Sequence, residues 1–275
     1  MDLTVRHPYS IGPVTFRPSD TINERWAELG HIHRNVEAGT ASLELQATDE
    51  SAAAKRALNV LQDYHLLLSW GHERYVGFGP YECYAIRNGR EGHEARVSFS
   101  QRTGNPDGSG LLFGFGDGVR EFLEITHPQL TNSDFEGKMR IKDALSFHVE
   151  SVAMSETIAE AKFVLSWTCL EILANAHAKA TGQRRLFREG IRVVITRLLS
   201  DFELGPYDNY LRKFVRFRDD IVHGNPLSDY SGYERARLLL SLQRLVDKVL
   251  ISVFGIADKP FIHPAYTRTD LLADS

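Results

Sequence analysis

The residues best suited to chemistry lie close together near the C-terminal end of the chain. An arginine, two acidic residues and a histidine occur there in one short segment: Arg218, Asp219, Asp220 and His223. Gly224 and Pro226 follow, and these residue types end helices. A guanidinium binds phosphate oxygens, and an imidazole gains and loses a proton near neutral pH. The segment therefore predicts acid/base chemistry on a phosphate group at the closing turn of a helix.

The spacing within this segment would bring its groups together on a helix. Asp219 and His223 are four residues apart, so they share a face, and the carboxylate can orient the imidazole and favour its charged form. Arg218 lies roughly 140° around the helix from His223, within reach of a phosphate bound near the ring. From the residues alone, a capped helix end with a surface Asp–His pair is the commoner explanation of such a pattern.

Context separates this segment from similar spacings elsewhere. An arginine is followed a few residues later by a histidine at three other places, Arg25/His31, Arg87/His93 and Arg120/His127. Arg25 and Arg87 are not followed by an acidic residue, and although Glu121 follows Arg120, His127 stands directly before Pro128. The spacing therefore carries no weight without the helix that positions it.

The first part of the chain, residues 1–135, is predicted to be a β-rich mixed domain. Apolar residues recur with helical spacing from Glu50 to Leu68, with Asp49 as a cap, and a shorter helix is predicted at Val119–Thr126. Short segments bounded by turn residues predict the strands. These are Val14–Arg17, Ala41–Gln46, Tyr75–Gly77, Glu82–Ile86, Arg96–Ser100 and Leu111–Phe115.

The second part, residues 136–256, is predicted to be an all-α bundle, followed by an irregular tail at 257–275. Its amphipathic segments are joined by short connections, which indicates antiparallel neighbours. The predicted helices are Lys138–Met154, Glu156–Ala180, Arg184–Leu199, Tyr207–His223 and Tyr233–Val253. The fold class expected for the whole chain is therefore α+β.

Composition limits the classes of function. The chain has 275 residues and a net charge of −4, but residues 138–255 hold 18 Lys and Arg against 14 Asp and Glu. A basic half permits contact with a polyanion. Two cysteines, Cys83 and Cys169, suggest neither a disulfide framework nor a zinc site. The N-terminus lacks the apolar core of a leader, and no apolar run is long enough to span a membrane. We expect a cytoplasmic protein with no metal and no cofactor.

Two segments of the helical part resemble a known family. The run from Arg218 to Gly224 resembles the signature of HEPN domains, which is Arg, a polar residue, a short spacer and His. Its ending, Ile-Val-His-Gly, is similar to that of the ApeA-like HEPN group. Upstream, Trp167–Leu173 resembles the Trp-x-x-Leu-Glu-x-Leu helix of that group. Two matches in the right order are more specific than either one.

The resemblance implies a helical bundle that dimerises and cleaves RNA without a metal. The 2′-hydroxyl of the substrate would attack the adjacent phosphate and leave a cyclic phosphate. His223 would transfer protons, Arg218 would stabilise the transition state, and Asp219 would orient these groups. Two copies of the motif would form one composite cleft. Many members are toxins or act in defence against phage, so an antitoxin or a defence protein is an expected partner.

Further residues are assigned supporting roles. Arg212, Lys213, Arg216 and Asn225 are expected to bind substrate. Glu171 is expected to support the site, either by anchoring Arg218 or Arg216 or by taking part in the chemistry. A second basic cluster, at Arg184, Arg185, Arg188 and Arg192, could follow an RNA backbone or form a solvated helix face.

Three functions remain open at this point. The first is a HEPN ribonuclease whose N-terminal domain senses a ligand or selects the target. The second is a non-catalytic HEPN module that binds nucleic acid, nucleotide or a partner protein. The third is an interaction protein whose bundle only drives dimerisation. Intact Arg218, Asp219 and His223 favour the first.

Overall fold

The computed structural model describes residues 7–19, 35–72, 76–85, 93–102, 118–153, 159–263 and 266. Its contacts divide the chain into two compact units, Met1–Pro128 and Gln129–Ser275. The fold class is α+β, as predicted, with most described residues in helices and one antiparallel sheet near the N-terminus. The predicted domain limits at residues 135 and 256 stay predictions. Within the described ranges, every helix is too short or too polar to cross a membrane.

The first unit contains a five-stranded sheet in which every pair of neighbouring strands is antiparallel. The strand order is β1-β2-β3-β5-β4. A tight turn with Gly12 at φ +53° joins the first two strands, a backbone conformation that favours glycine. The strands are β1 Tyr9–Ile11, β2 Val14–Pro18, β3 Asn35–Leu45, β4 Val76–Ala85 and β5 His93–Arg102.

Where the structure describes them, the predicted strands are confirmed in position, but two of them are one strand and β1 was not predicted. The described parts of the segments predicted at Tyr75–Gly77 and Glu82–Ile86 belong to one strand, β4, whose register shifts between Phe78 and Tyr81. The intervening Gly79-Pro80 suggested a turn, but an irregularity of this kind accommodates a proline inside a strand. The strand predicted at Leu111–Phe115 lies outside the described residues.

Two helices, α1 at Glu50–Gly71 and α2 at Gly118–Leu130, accompany the sheet. As predicted, Asp49 caps α1, and its side chain accepts a 2.8 Å hydrogen bond from the backbone N–H of Ala52. The Tyr64 hydroxyl donates to the carbonyl of Ile11 at 2.6 Å, so α1 is tied to the first hairpin through a buried side chain. Both helices predicted in this part are confirmed, each a few residues longer than expected.

The second unit is a helical bundle organised around a central helix, α5 at Ala159–Ala180. It contacts helices on several sides and buries Phe163, Trp167 and Leu170 completely or nearly so. The other helices are α3 Ser133–Met139, α4 Ile141–Ala153, α6 Ile191–Asp201, α7 Asp208–Val222 and α8 Gly232–Val253.

Two predicted helices of the bundle are not continuous. Lys138–Met154 is interrupted at Arg140, which has φ 54° and lies between α3 and α4. The segment Arg184–Leu199 is not continuous, because Arg184–Arg188 forms a short 3-10 helix and α6 begins only at Ile191. Gly190 separates them with φ +96°, outside the range of a right-handed helix. The arginines at 184 and 185 therefore lie in a turn and do not oppose the dipole of an α-helix.

Candidate active site at the end of helix α7

Helix α7 is held in the bundle by one apolar face. Leu211, Phe214 and Phe217 are buried, and their spacing places them on the same side of the helix. Phe163 of α5 contacts Phe214 and Phe217 with ring centroids 5.9 and 4.8 Å apart. Aromatic burial of this kind fixes the helix, and the residue directly after Phe217 is Arg218. The segment singled out in the sequence is therefore attached to the core through the residue directly before it.

The helix ends where the sequence predicts. Gly224 has φ +67°, its N–H donates to the carbonyl of Ile221 at 3.2 Å, and the N–H of Asn225 donates to the carbonyl of Asp220 at 2.8 Å. This pair of hydrogen bonds is the Schellman motif, which satisfies the last carbonyls of a helix and turns the chain sharply. His223 is the cap residue itself, and its position is fixed by backbone geometry.

Asp220 fastens the segment that leaves the helix. Its carboxylate accepts hydrogen bonds from the Asn225 amide at 3.0 Å and the Tyr230 hydroxyl at 2.7 Å, and Arg216 lies 4.0 Å away. The hydrogen bonds from Asn225 and Tyr230, together with the nearby Arg216 charge, lower the pKa of Asp220. Burial and the Asp220 carboxylate raise the pKa of Tyr230 to about 12. Asn225, expected to bind substrate, thus has a partner within the chain.

Arg235, in the first part of α8, holds the same segment from the other side. Its guanidinium donates to the carbonyls of Leu227 at 2.8 Å and Tyr230 at 3.1 Å, and to the Glu160 carboxylate at 2.8 Å. One side chain therefore connects the loop after α7 with the beginning of α5. Sequence reasoning missed Tyr230, Arg235 and Glu160, because nothing local to them indicates partners so distant along the chain.

The charged groups of the motif are arranged differently from the prediction. Arg218 donates to the carboxylate of its neighbour Asp219 at 2.9 Å, and both side chains are partly exposed. Asp219 meets His223 only through its backbone carbonyl, which accepts from the His223 N–H at 2.9 Å. The expected pairing of the Asp219 carboxylate with the imidazole is therefore replaced by pairing with Arg218.

The imidazole of His223 is open to solvent. His223 is exposed, and its side chain makes no hydrogen bond or ion pair with any described residue. Arg218 lies about one and a half turns earlier on the same helix. An accessible imidazole on a fixed backbone can exchange protons with a bound molecule through its ring nitrogens.

Glu171 does not support Arg218 or Arg216. It accepts a 2.6 Å hydrogen bond from the indole N–H of Trp167, one turn earlier on α5. The loop after α7 is attached at Glu160, and eleven residues of helix, about 16 Å, separate Glu160 from Glu171. The predicted anchor is therefore wrong, and the Trp–Glu pattern serves to satisfy a buried indole.

The remaining predicted substrate-binding residues line the solvent side of α7. Arg212 and Lys213 are exposed, and the side chain of Arg216 is 72% exposed. Arg212 and Arg216 are four residues apart and share a face that leads toward the end of the helix. These side chains add positive charge to the exposed face of α7.

Other parts of the bundle add no competing site at this end. Among the described residues no group of three His, Cys, Asp or Glu side chains is placed to hold a metal ion. A pocket of about 320 Å³ opens at the opposite end of α7, lined by residues of α6 and the α6–α7 connection, including Glu203, Tyr207 and Asp208.

Comparison of the chain with protein-family models, with curated proteins and with solved structures finds no match in any of the three.

Proposed function

We propose that the helical unit is a metal-independent endoribonuclease of the HEPN type. The observation that carries the proposal is the state of His223, which is exposed, has no partner among the described residues, and follows Arg218 by five positions at a fixed helix end. The proposal rests on the chemistry of this arrangement together with the two segments that resemble HEPN domains.

The reaction needs one group to remove a proton and another to supply one. The 2′-oxygen of RNA forms a bond to phosphorus as its proton passes to an imidazole, and the bond from phosphorus to the 5′-oxygen breaks as that oxygen receives a proton. Arg218 would stabilise the negative charge on the phosphoryl oxygens. Asp219 would hold the guanidinium in place, in keeping with their 2.9 Å contact.

A second copy of the chain would complete the site. One imidazole cannot accept the first proton and donate the second in the same step, so two copies of His223 facing one cleft would fill both roles. Exposed apolar side chains lie close in sequence to the motif: Val222 is 51% exposed, and Tyr233 and Leu240 of α8 are 69% and 36% exposed. Tyr233 and Leu240 are seven residues apart, on one face of α8, and provide apolar area for a homodimer.

On this proposal the first unit would sense a ligand or select the target, and the protein would act as a toxin or in defence against phage, with an antitoxin or a defence protein as partner. The alternative is a non-catalytic HEPN module that binds nucleic acid, nucleotide or a protein. The pairing of Arg218 with Asp219 favours that alternative, because a guanidinium already engaged by a carboxylate binds a phosphate less strongly.

The test is incubation of the purified protein with mixed RNA in EDTA. We expect cleavage that is lost in His223→Ala and Arg218→Ala, while both variants keep the oligomeric state of the wild type in light scattering. Leu240→Glu should give a monomer that no longer cleaves. Binding without cleavage, unchanged in both motif variants, would favour the non-catalytic module, and a monomer that cleaves would contradict the composite site.

A further inference from the structure

A cluster of arginines without acidic partners lies at the other end of α5, in the connection to α6. We define the arginine turn as residues 184–192. All four of its arginines are exposed, and none forms an ion pair with a described residue: Arg184, Arg185, Arg188 and Arg192. Several arginines elsewhere in the bundle are paired, as Arg140 is with Asp143 and Arg235 with Glu160. The arginine turn contains one acidic residue, Glu189, so it carries a concentrated positive charge.

The backbone of the arginine turn is fixed at both ends. Gly182 has φ +73°, and the N–H of Gln183 donates to the carbonyl of Ala178 at 2.7 Å, which closes α5. Gly190 begins the next helix. The nearby carboxylate of Asp201 is already engaged by His177 at 2.9 Å and Arg197 at 2.8 Å. It is therefore not available to neutralise the arginines.

An aromatic ring is exposed among these charges. Phe187 is 37% exposed and lies between Arg185 and Arg188 in the 3-10 helix. A phenylalanine in such a position offers a flat apolar face beside groups that bind phosphate. Single-stranded nucleic acids are bound by this combination, with bases stacked on aromatic rings and the backbone held by cationic side chains.

We propose that the arginine turn is a binding site for single-stranded nucleic acid, in which Phe187 stacks on a base and Arg185 and Arg188 contact phosphates. An acidic peptide would satisfy the charge but has no planar base for the ring, and one partly buried ring inserts little apolar area into a membrane. The choice of RNA over DNA rests on the proposed function. Because Glu160 and the arginine turn lie at opposite ends of α5, this site is distinct from the end of α7.

The test is fluorescence anisotropy with a labelled oligouridylate of about 12 nucleotides, within the range of single-strand sites. The oligomer carries 2′-O-methyl groups, so attack by the 2′-oxygen is blocked and binding is measured without cleavage. A deoxy oligomer of the same length distinguishes DNA from RNA. The variants are Arg185→Gln/Arg188→Gln, Phe187→Ala and Phe187→Tyr. Arg17→Gln, at an exposed position of β2, is the control for loss of one positive charge outside the arginine turn.

We expect the double variant to bind the oligomer at least about tenfold more weakly. The salt dependence of binding, which is the slope of log K against log salt, should decrease by about 1.4 for two lost phosphate contacts. Phe187→Ala should bind about tenfold more weakly, whereas Phe187→Tyr and Arg17→Gln should bind like the wild type. Thermal unfolding should be unchanged in the arginine variants, since their side chains are exposed, and should fall slightly in Phe187→Ala, because that ring is 37% exposed.

Equal affinity in the wild type and the double variant would overturn the inference. The inference would also be overturned if a polyglutamate peptide or an anionic vesicle bound through the same arginines more tightly than the oligomer does. The outcomes separate the two proposals. If binding depends on the arginine turn but the protein cleaves no RNA, this site is supported and the nuclease is contradicted. If the protein cleaves RNA but its binding does not depend on the arginine turn, the nuclease is supported and this site is contradicted.

Discussion

Helices α5 and α7 end in the same way, and the two ends carry different free groups. Both have a glycine with positive φ, Gly182 at +73° and Gly224 at +67°, and both show the same two backbone hydrogen bonds across the turn. The backbone that presents side chains to solvent is therefore alike at the two places. What differs is the group with which the local carboxylates are paired.

At the end of α5, Asp201 binds the imidazole of His177 at 2.9 Å, and the arginines that follow have no acidic partner in the described part of the chain. At the end of α7, Asp219 binds Arg218 and Asp220 binds the loop, and the imidazole of His223 has no partner among the described residues. One end therefore offers guanidinium groups and the other an imidazole. The chemistry open to a helix end depends on which basic group the carboxylates leave free.

The largest effect should come from removing the two histidines in turn. His223→Ala should lower the rate of RNA cleavage by about 100-fold or more, because a proton-transfer group is lost, and leave stability unchanged because the side chain is exposed. His177→Ala should keep the rate and lower the free energy of unfolding by about 1 kcal/mol through loss of its bond to Asp201. Cleavage rates and urea unfolding measure both. Equal losses of cleavage rate in the two variants would mean that His223 has no role in cleavage that His177 lacks.

The second comparison concerns the loop at the α7 end. Arg235→Ala removes hydrogen bonds to two carbonyls and a carboxylate, and should lower the free energy of unfolding by about 2 kcal/mol. Arg235→Lys should recover only part of this stability, because a lysine ammonium lacks the planar set of donors of a guanidinium. Arg237→Ala, two residues further along α8 and exposed, is the control and should change stability little. An equal loss for Arg237→Ala would show that the loop is not held as described.

The third comparison uses the two glycines. A Cβ at Gly182 or Gly224 would meet no atom within 4 Å, so alanine introduces only the strain of a left-handed backbone, about 1 kcal/mol at each position. Gly224→Ala should reduce cleavage and leave oligonucleotide binding intact. Gly182→Ala should weaken oligonucleotide binding and leave cleavage intact. Urea unfolding, cleavage and anisotropy on the same samples measure this. If each substitution affected both activities, the two ends would not act as separate sites.

The smallest effect is on the pH dependence of stability. Hydrogen bonds from Asn225 and Tyr230 lower the pKa of Asp220; burial opposes ionisation of Asp201, but the bond from His177 and the Arg197 charge still lower its pKa. A depressed pKa adds stability that is present above the unfolded value of about 3.9 and is lost as pH falls through the folded value. Urea unfolding from about pH 6 to about pH 3 should therefore show a shallower decline in Asp220→Asn than in the wild type. An unchanged profile would argue against the Asp220 contacts.

The helices and their ends were predictable because the signals are local. The apolar spacing of α7, the glycine at 224 and the Asp49 cap each act within a few residues of the chain. Gly190 shows the limit, because the periodicity of Arg184–Leu199 continues across it while the backbone does not. Similarly, the glycine and proline in β4 indicated a turn that pairing with β5 overrides.

The contacts of the candidate site could be predicted only in part. The sequence placed Arg218, Asp219 and His223 at one helix end, but it could not tell which basic group Asp219 would bind, since both lie within reach. Arg235 and Glu160 are 75 residues apart, and their pairing depends on how α5 and α8 meet in the bundle. Glu171 had a nearer partner, Trp167, than the arginines assigned to it.

The most direct test of the proposed nuclease is the chemistry of its products. The substrate is a deoxyoligonucleotide with one ribonucleotide, incubated with the protein in EDTA and analysed by mass spectrometry. We predict a single cut directly 3′ of the ribonucleotide, a fragment with the mass of a 2′,3′-cyclic phosphate, and no such fragment with His223→Ala. No cut under these conditions, a cut elsewhere in the deoxy strand, or the same products from His223→Ala would contradict the account.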